Sequence, residues 1–263
     1  MWQIFTPLRR FSTQATKIPG LKFIPNFANI ETQKVLLLES LSLQRAISEN
    51  AKDKQSKKTQ TYLSKQHNLK SDERYKLLHL SYPNNLTLDC QHFEQYGEDG
   101  HQLTYFIGNK NIPPFVKSKL ISEMEQLDEV KAVREEKFQK ASQDHKQMEE
   151  LNWNFTFNIY GKQNTNPNLV AGFPFHIDVA SNGQVTAIFT LISDATLEMR
   201  KKGETEASHS IQLTPGSLFL LSGESRWDWE HRVLPKNLQE NNGSENDHCP
   251  HDLSRISLVL GCL

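Results

Sequence analysis

From residue 151 onward the chain alternates apolar and polar residues in short runs. "NWNFTFNIY", "PFHIDVA", "VTAIFTLI", "HSIQLTPGSLFLLSG" and "RISLVLGCL" are rich in β-branched and aromatic residues and are parted by Gly, Asn, Pro and charged turns. Period-two patterning bounded by turn residues predicts strands. Several of them with no helical pattern between predict a jelly roll or related barrel. Upstream the period changes. A strand-like piece at Leu21, Phe23 and Ile24 leads into Leu36, Leu37, Leu41 and Ile47, which recur at helical spacing and predict a helix. Pro113-Pro114 opens a second predicted helix. Ile121, Met124, Leu127, Val130 and Val133 form its apolar stripe, opposite a charged face that continues to Glu150. A half-buried helix accounts for that pattern more simply than a partner-binding coiled coil.

The stretches between these elements read differently. "ENAKDKQSKKTQTYLSKQHNLKSDERYK" is charge-dense and poor in apolar residues, the mark of a solvated surface. "SYPNNLTLDCQHFEQYGEDGHQLTYFIGNKNIPP" carries Pro, Gly and Asn punctuation and predicts hairpins and long loops around a site. The expected fold is mainly β with flanking α-helices: a double-stranded β-helix (jelly-roll) core over 151–263, preceded by a helical and lid region over 18–150 of the same domain.

Composition narrows the function classes. With 263 residues the chain can bury a large core, and a net charge of -1 with a pI of about 6.8 provides no global positive field for nucleic acid or anionic lipid. Cys90, Cys249 and Cys262 are odd in number and lack paired spacing, which suits free thiols in a reducing compartment. No apolar run approaches the roughly 20 residues that span a bilayer, so no membrane insertion is expected. Residues 1–17, "MWQIFTPLRRFSTQATK", are basic, free of acidic residues, amphipathic and hydroxyl-bearing. That composition predicts a mitochondrial targeting segment and a matrix location, with a merely disordered N-terminus as the plain alternative.

Candidate chemistry begins at "GFPFHIDVASNG". On a strand, alternate residues share a side, so His176 and Asp178 are expected to project together while Ile177 faces away. His231, after the aromatic-rich "SGESRWDWEHRV", is the candidate third ligand. Two histidines and one carboxylate on one face of a metal leave positions open, which suits Fe(II) taking a bidentate 2-oxoacid and then dioxygen. Arg255, inward on an apolar strand with Ser257 beside it, is a sensible bidentate anchor for the far carboxylate of 2-oxoglutarate. Asn158 and Tyr160 add hydrogen bonds from another strand.

"NIY", "HID", "SGESRWDWEHRV" and "RISL", in that order, resemble the AlkB-type branch of the Fe(II)- and 2-oxoglutarate-dependent dioxygenases. "PGLKFIPNFANIETQKVLL" resembles the start of that family's domain and "IPPFVKSKLISEM" its helix before the barrel, so the similarity runs from about residue 19. The resemblance implies iron ligation by His176, Asp178 and His231, and 2-oxoglutarate contacts from Asn158, Tyr160 and Arg255 with Ser257 nearby. It implies hydroxylation of a C–H bond, or oxidative demethylation where the carbon is an N-methyl group, on an alkylated nucleic-acid base or a protein side chain. Two departures stand out. Gly261 occupies the place of the family's second arginine, and the loop "GKQNTNPNLVAGFPF" is long. The first supports an alternative in which the chain is a catalytically silent binding or regulatory protein.

Rival groupings remain. His92, Glu94 and His101 lie among turn residues, where strand alternation is not expected, and are read as hydrophilic lid decoration. His248, Cys249 and His251 lack a nearby fourth zinc ligand and are read as a surface loop. Trp227 and Trp229 are candidates for base stacking, but packing of at least one around the His231 strand is the commoner use.

Overall fold

The computed structural model describes residues 18–50, 90–97, 100–107, 109, 112–145, 150–161, 168–237 and 255–263; for 44–50, 90–97 and 100–106 it describes the backbone alone. Residues 1–17, the charge-dense segment after 50 and the His248, Cys249 and His251 loop lie outside the described residues, as do the side chains of Cys90, His92, Glu94 and His101.

Strand alternation builds the molecule in two layers. In β13 (Arg255–Cys262), Ile256, Leu258, Leu260 and Cys262 join one apolar core, while Arg255, Ser257 and Val259 line a cavity on the other side. In β4 (Trp153–Tyr160), Trp153, Phe155, Phe157 and Ile159 enter that same core, and Thr156, Asn158 and Tyr160 face the cavity. Both strands are buried on both faces, so the polar residues on the cavity side need partners there.

These strands belong to a seven-stranded antiparallel sheet with the order β1-β10-β7-β13-β4-β3-β2. It comprises β1 (Leu21–Ile24), β2 (Cys90–Gly97), β3 (Gly100–Ile107), β4, β7 (Val185–Leu191), β10 (Leu218–Ser222) and β13. A second antiparallel sheet runs β6 (Phe173–His176), β11 (Trp229–Val233), β8 (Ala195–Lys201), β9 (His209–Leu213). A two-stranded pair joins β5 (Leu169–Val170) to β12 (Lys236–Asn237). The chain crosses between the two larger sheets from β4 to β6, β6 to β7, β7 to β8, β9 to β10 and β10 to β11, which is the double-stranded β-helix expected from the sequence.

The helices cover the outer face of the large sheet. α1 (Ile30–Asn50) contributes Leu36, Leu41 and Leu43. The next helical segment contains a wide π-helical stretch, Val116–Ile121, continued by Ser122–Met124, and then breaks at Leu127, whose φ of -75° and ψ of 142° are extended. α2 (Asp128–Gln143) restarts there. The single helix expected to reach Glu150 is thus two pieces, but all five residues of the predicted stripe are buried. Glu39 of α1 locks the first piece in place: its carboxylate accepts the backbone N–H of Phe115 at 2.8 Å and of Val116 at 3.1 Å. Those amides lie in the first turn of the segment, where no intrahelical partner exists.

A second apolar cluster fills the space between the sheets, with Phe23, Phe219 and Ile188 facing Leu197, Met199 and Leu213. The expected hairpin character of this region is met, but "CQHFEQYGEDGH" carries strand where alternation was not expected. It forms β2 and the start of β3, and the two strands extend the large sheet through pairing of β3 with β4. Among the described residues, no helix is long and apolar enough to cross a membrane.

Candidate metal centre

A cavity of about 270 Å³ opens between the sheets. The large sheet contributes Asn158, Tyr160, Arg255 and Ser257; the small sheet contributes His176 and His231; the segment after β6 closes one side with Ile177 to Val179 and Asn182.

His176 and His231 are directly opposed in the β6–β11 register, with ring centroids 4.2 Å apart. The register slips by one residue beside them, pairing Val233 with Phe173, so Phe173 and His176 both reach the cavity although three positions apart. An irregularity of this kind re-aims a side chain. Pro174, which cannot donate to a ladder, sits within it, and its carbonyl lies 2.9 Å from His176 Nδ1. The Phe173 ring meets His176 edge-on at 4.3 Å.

Asp178 arrives by a different route from the one expected. β6 ends at His176, so Asp178 does not share a strand face with it, and Ile177 also lines the cavity. Asp178 stands in the connecting segment that leads to a turn of 3-10 helix at Ala180–Asn182. Its Oδ1 is 3.6 Å from His176 Nε2, and its Oδ2 is 4.0 Å from His231 Nε2. One ligand atom from each residue lies within 4.8 Å of the others, and this is the one such His/Cys/Asp/Glu group among the described residues.

The protonation pattern leaves a cation-shaped need. With Nδ1 set against the Pro174 carbonyl, Nε2 is the His176 nitrogen that faces the Asp178 carboxylate, 3.6 Å from Oδ1. Burial pushes the His231 imidazole down to about 4, with His176 and Arg226 adding to the shift against Asp178, so it is neutral near pH 7. Burial tends to raise Asp178, but the His176 contact, the His231 imidazole and the nearby Arg226 guanidinium outweigh it and hold the carboxyl below its ordinary range. Asp178 Oδ2 and His231 Nδ1 are buried without hydrogen-bond partners. Lone pairs of two nitrogens and one ionised carboxylate converging in this way form the donor set of a divalent metal.

At the other end of the cavity lies Arg255, paired with Tyr160 in register and stacked 4.4 Å from its ring centroid. The residue is 2% exposed, and Nε and Nη1 have no hydrogen-bond partner among the described residues. Burial pushes its pKa down, and the Tyr160 hydroxyl partly offsets this. Asn158 donates to Ser257 Oγ at 3.2 Å across the same two strands. The structure therefore brings all seven predicted residues to one cavity: His176, Asp178 and His231 at the acceptor-rich corner, and Asn158, Tyr160, Arg255 and Ser257 around the guanidinium.

Gly261 receives a steric explanation. It lies opposite Asn154 and Thr186, and a Cβ there would press on the Asn182 carbonyl oxygen and stand 2.7 Å from the Asn182 Cα. The turn carrying Asn182 rests on the bare backbone of β13 and leaves no space for an arginine. Asn154 Nδ2 pins the same turn through the Ser181 carbonyl.

Two aromatics divide as the commoner use suggests. Trp229 packs on the inter-sheet core, meets His209 edge-on at 5.3 Å and donates Nε1 to Glu224 at 3.1 Å. Trp227 is 41% exposed. Arg226, between Trp227 and the serine cap, was not among the sequence candidates. It is 1% exposed and donates to two successive backbone carbonyls, Asp178 at 2.9 Å and Val179 at 2.7 Å. Its only sequence signal was its position five residues before His231 in an otherwise aromatic stretch.

The chain matches no protein-family model and no curated protein sequence. Among solved structures it is similar to OsALKBH1, with 13% identity over 95% of this chain and 99% of that one and a TM-score of 0.46. It is also similar to YcfD, a ribosomal oxygenase from Escherichia coli, with 11% identity over 65% of this chain and 34% of that one at a TM-score of 0.33. A 2OG-Fe(II) oxygenase family oxidoreductase from Burkholderia pseudomallei shows 9% identity over 67% of this chain and 73% of that one, also at 0.33.

Proposed function

We propose that the protein is an AlkB-like Fe(II)- and 2-oxoglutarate-dependent dioxygenase acting in the mitochondrial matrix on an alkylated nucleic-acid base or a protein side chain. The observation that carries this reading is the pairing, within one cavity, of three converging acceptors with a buried guanidinium that has no anionic partner among the described residues. The donor set fits Fe(II), and the orphaned Nε and Nη1 of Arg255 fit the distal carboxylate of 2-oxoglutarate.

In this reading His176, Asp178 and His231 hold the metal, and the Pro174 carbonyl fixes the His176 tautomer so that Nε2 is the ligand atom. Arg255 binds and orients the co-substrate through its fork, stacked on Tyr160, while Asn158 and Ser257 supply neighbouring polar contacts. When bound, Fe(II) with 2-oxoglutarate and dioxygen supplies the oxidation: one oxygen atom enters the substrate C–H bond as hydroxyl, the other enters succinate, and carbon dioxide leaves. A hydroxylated N-methyl group then loses formaldehyde. Val179, Ile188, Leu197, Val233 and Val259 provide apolar walls that keep bulk water from the reacting centre. The basic, acid-free leader supports the matrix assignment.

Succinate release from 2-oxoglutarate by the full-length chain, with Fe(II) and oxygen, tests the reading, with Asp178→Ala as the blank. Turnover above that blank is expected. Equal rates in the two proteins would remove the metal assignment, and metal binding without turnover on methylated RNA, DNA or mitochondrial protein would favour the silent alternative.

A further inference from the structure

The catalytic reading leaves Arg226 without a role, and its setting is costly for a surface-type side chain. It sits in α3 (Gly223–Trp227), a single turn held by a reciprocal cap in which Ser222 and Ser225 each bond the other's end. That turn joins β10 to β11 and places Arg226 behind the segment that carries Asp178. The guanidinium is buried, forms no ion pair among the described residues, leaves Nε without a partner there, and has only the more distant Asp178 charge to offset its burial. A buried charge with that little compensation is expensive, so the contacts it does make are the place to look for its use.

Those contacts are specific. Nη1 and Nη2 donate to the carbonyls of Asp178 and Val179, two consecutive peptide groups that belong to no strand. A sheet ladder orients His176 and His231, but nothing of that kind orients Asp178. Beyond it the segment is secured again where the Ala180–Asn182 turn sits on Gly261 and where Asn154 holds Ser181. Between His176 and that seat, the fork of Arg226 holds both carbonyls, that of Val179 together with the Asn182 N–H at 3.0 Å, and it alone reaches that of Asp178 among the described residues. Five residues further along the same stretch of chain stands His231, so α3 and β11 together supply one ligand and the support of another. The other side of the guanidinium lies 4.2 Å from the Trp227 ring centroid, which fixes its plane.

We propose that Arg226 is a positioning residue of the metal site, its guanidinium setting the place of the Asp178 carboxylate relative to His176 and His231. This rests on the metal-binding reading of those three residues. The planar fork matches two successive carbonyls, which a lysine ammonium does not reproduce.

Full-length wild type, Arg226→Lys and Arg226→Met are titrated with Co(II), which accepts the same nitrogen and oxygen donors and reports its coordination by visible absorption. Arg226→Met is expected to bind Co(II) about 10- to 100-fold more weakly, the usual effect of losing an outer support of a ligand. Arg226→Lys is expected to fall between, and both are expected to show an altered visible spectrum at saturating Co(II). A wild-type spectrum and affinity in both variants would overturn the proposal. If Arg226→Met does not fold, Arg226→Lys decides alone: wild-type affinity and spectrum in it would make the arginine a packing element. Wild-type protein that takes up no Co(II) would instead remove the metal-binding reading, and this inference with it.

Discussion

Replacement of Arg255 by methionine should move stability and ligand binding in opposite directions. The side chain is 2% exposed, with Nε and Nη1 unpartnered and Tyr160 as its compensating neighbour. Burying an ion carries a penalty of several kcal/mol, against which a desolvated stacking contact returns about 2 kcal/mol. Removing the charge strands no carboxylate, so the ligand-free variant should be unchanged or more stable by roughly 1 to 4 kcal/mol, as found when buried charges give way to apolar residues of similar volume. Binding should suffer. Two charge-assisted hydrogen bonds at about 1.5 kcal/mol each amount to about 3 kcal/mol, a loss of roughly 100-fold in affinity. At a 2-oxoglutarate concentration about 100 times the wild-type Kd, ligand stabilises the wild type by about 2.7 kcal/mol, and the variant by roughly 0.4 kcal/mol. With about 2 to 4 °C per kcal/mol for a chain of this size, the ligand-induced rise in Tm should shrink from about 5–11 °C to near 1 °C. Thermal unfolding with and without 2-oxoglutarate, in Mn(II) to avoid turnover, gives both numbers in one experiment. A variant destabilised by several kcal/mol that keeps the full ligand-induced shift would refute the anchor role and make Arg255 a structural arginine.

Three other perturbations have defined outcomes. Gly261→Ala drives a methyl group into Asn182 and should cost roughly 1 to 3 kcal/mol in urea unfolding, with weaker Co(II) binding because the seat of the Asp178 segment moves; a change below about 0.5 kcal/mol in stability would show that the turn yields freely. Glu39→Ala leaves the Phe115 and Val116 amides without their acceptor and should destabilise by about 1 to 3 kcal/mol while metal affinity stays at the wild-type value, so a parallel loss of metal binding would contradict its purely architectural placement. His231 is held neutral by burial down to about pH 4, whereas the unfolded chain takes up that proton near pH 6.5. The metal-free protein should therefore lose stability as pH falls from about 6.5 towards 4, by up to roughly 3 kcal/mol, and Asp178 adds loss in the same direction at lower pH. Identical urea midpoints at pH 7 and pH 5 would show that His231 is not desolvated as the structure has it.

Much of the fold was legible because its strands obey period two so strictly. In β4 and β13 the odd and even positions go to different layers, so the alternation alone puts Asn158 and Tyr160 on one side of their strand and Arg255 and Ser257 on one side of theirs. The apolar stripe from Ile121 to Val133 was equally plain, although the break at Leu127 was not, since an extended residue between two helical pieces leaves the spacing of buried positions almost unchanged. A hairpin was expected among the loops around β2 and β3, but strand alternation was not expected around His92 and Glu94, where turn residues crowd a short run; pairing of β2 with β3, itself paired with β4, overrides that local preference.

The sequence by itself determined which polar residues share one cavity, because acceptors and a guanidinium among apolar positions are costly to bury without partners there. Tertiary structure decided how they meet. Asp178 reaches the acceptor-rich corner from a segment outside the strand, its carbonyl bonded by Arg226 from a helix turn 48 residues away, a relation that no local periodicity encodes. Gly261 likewise looked like a missing arginine along the chain and is, in space, the bare surface on which Asn182 rests. Local patterning records which face a residue takes, and contacts between distant segments decide what that face encounters.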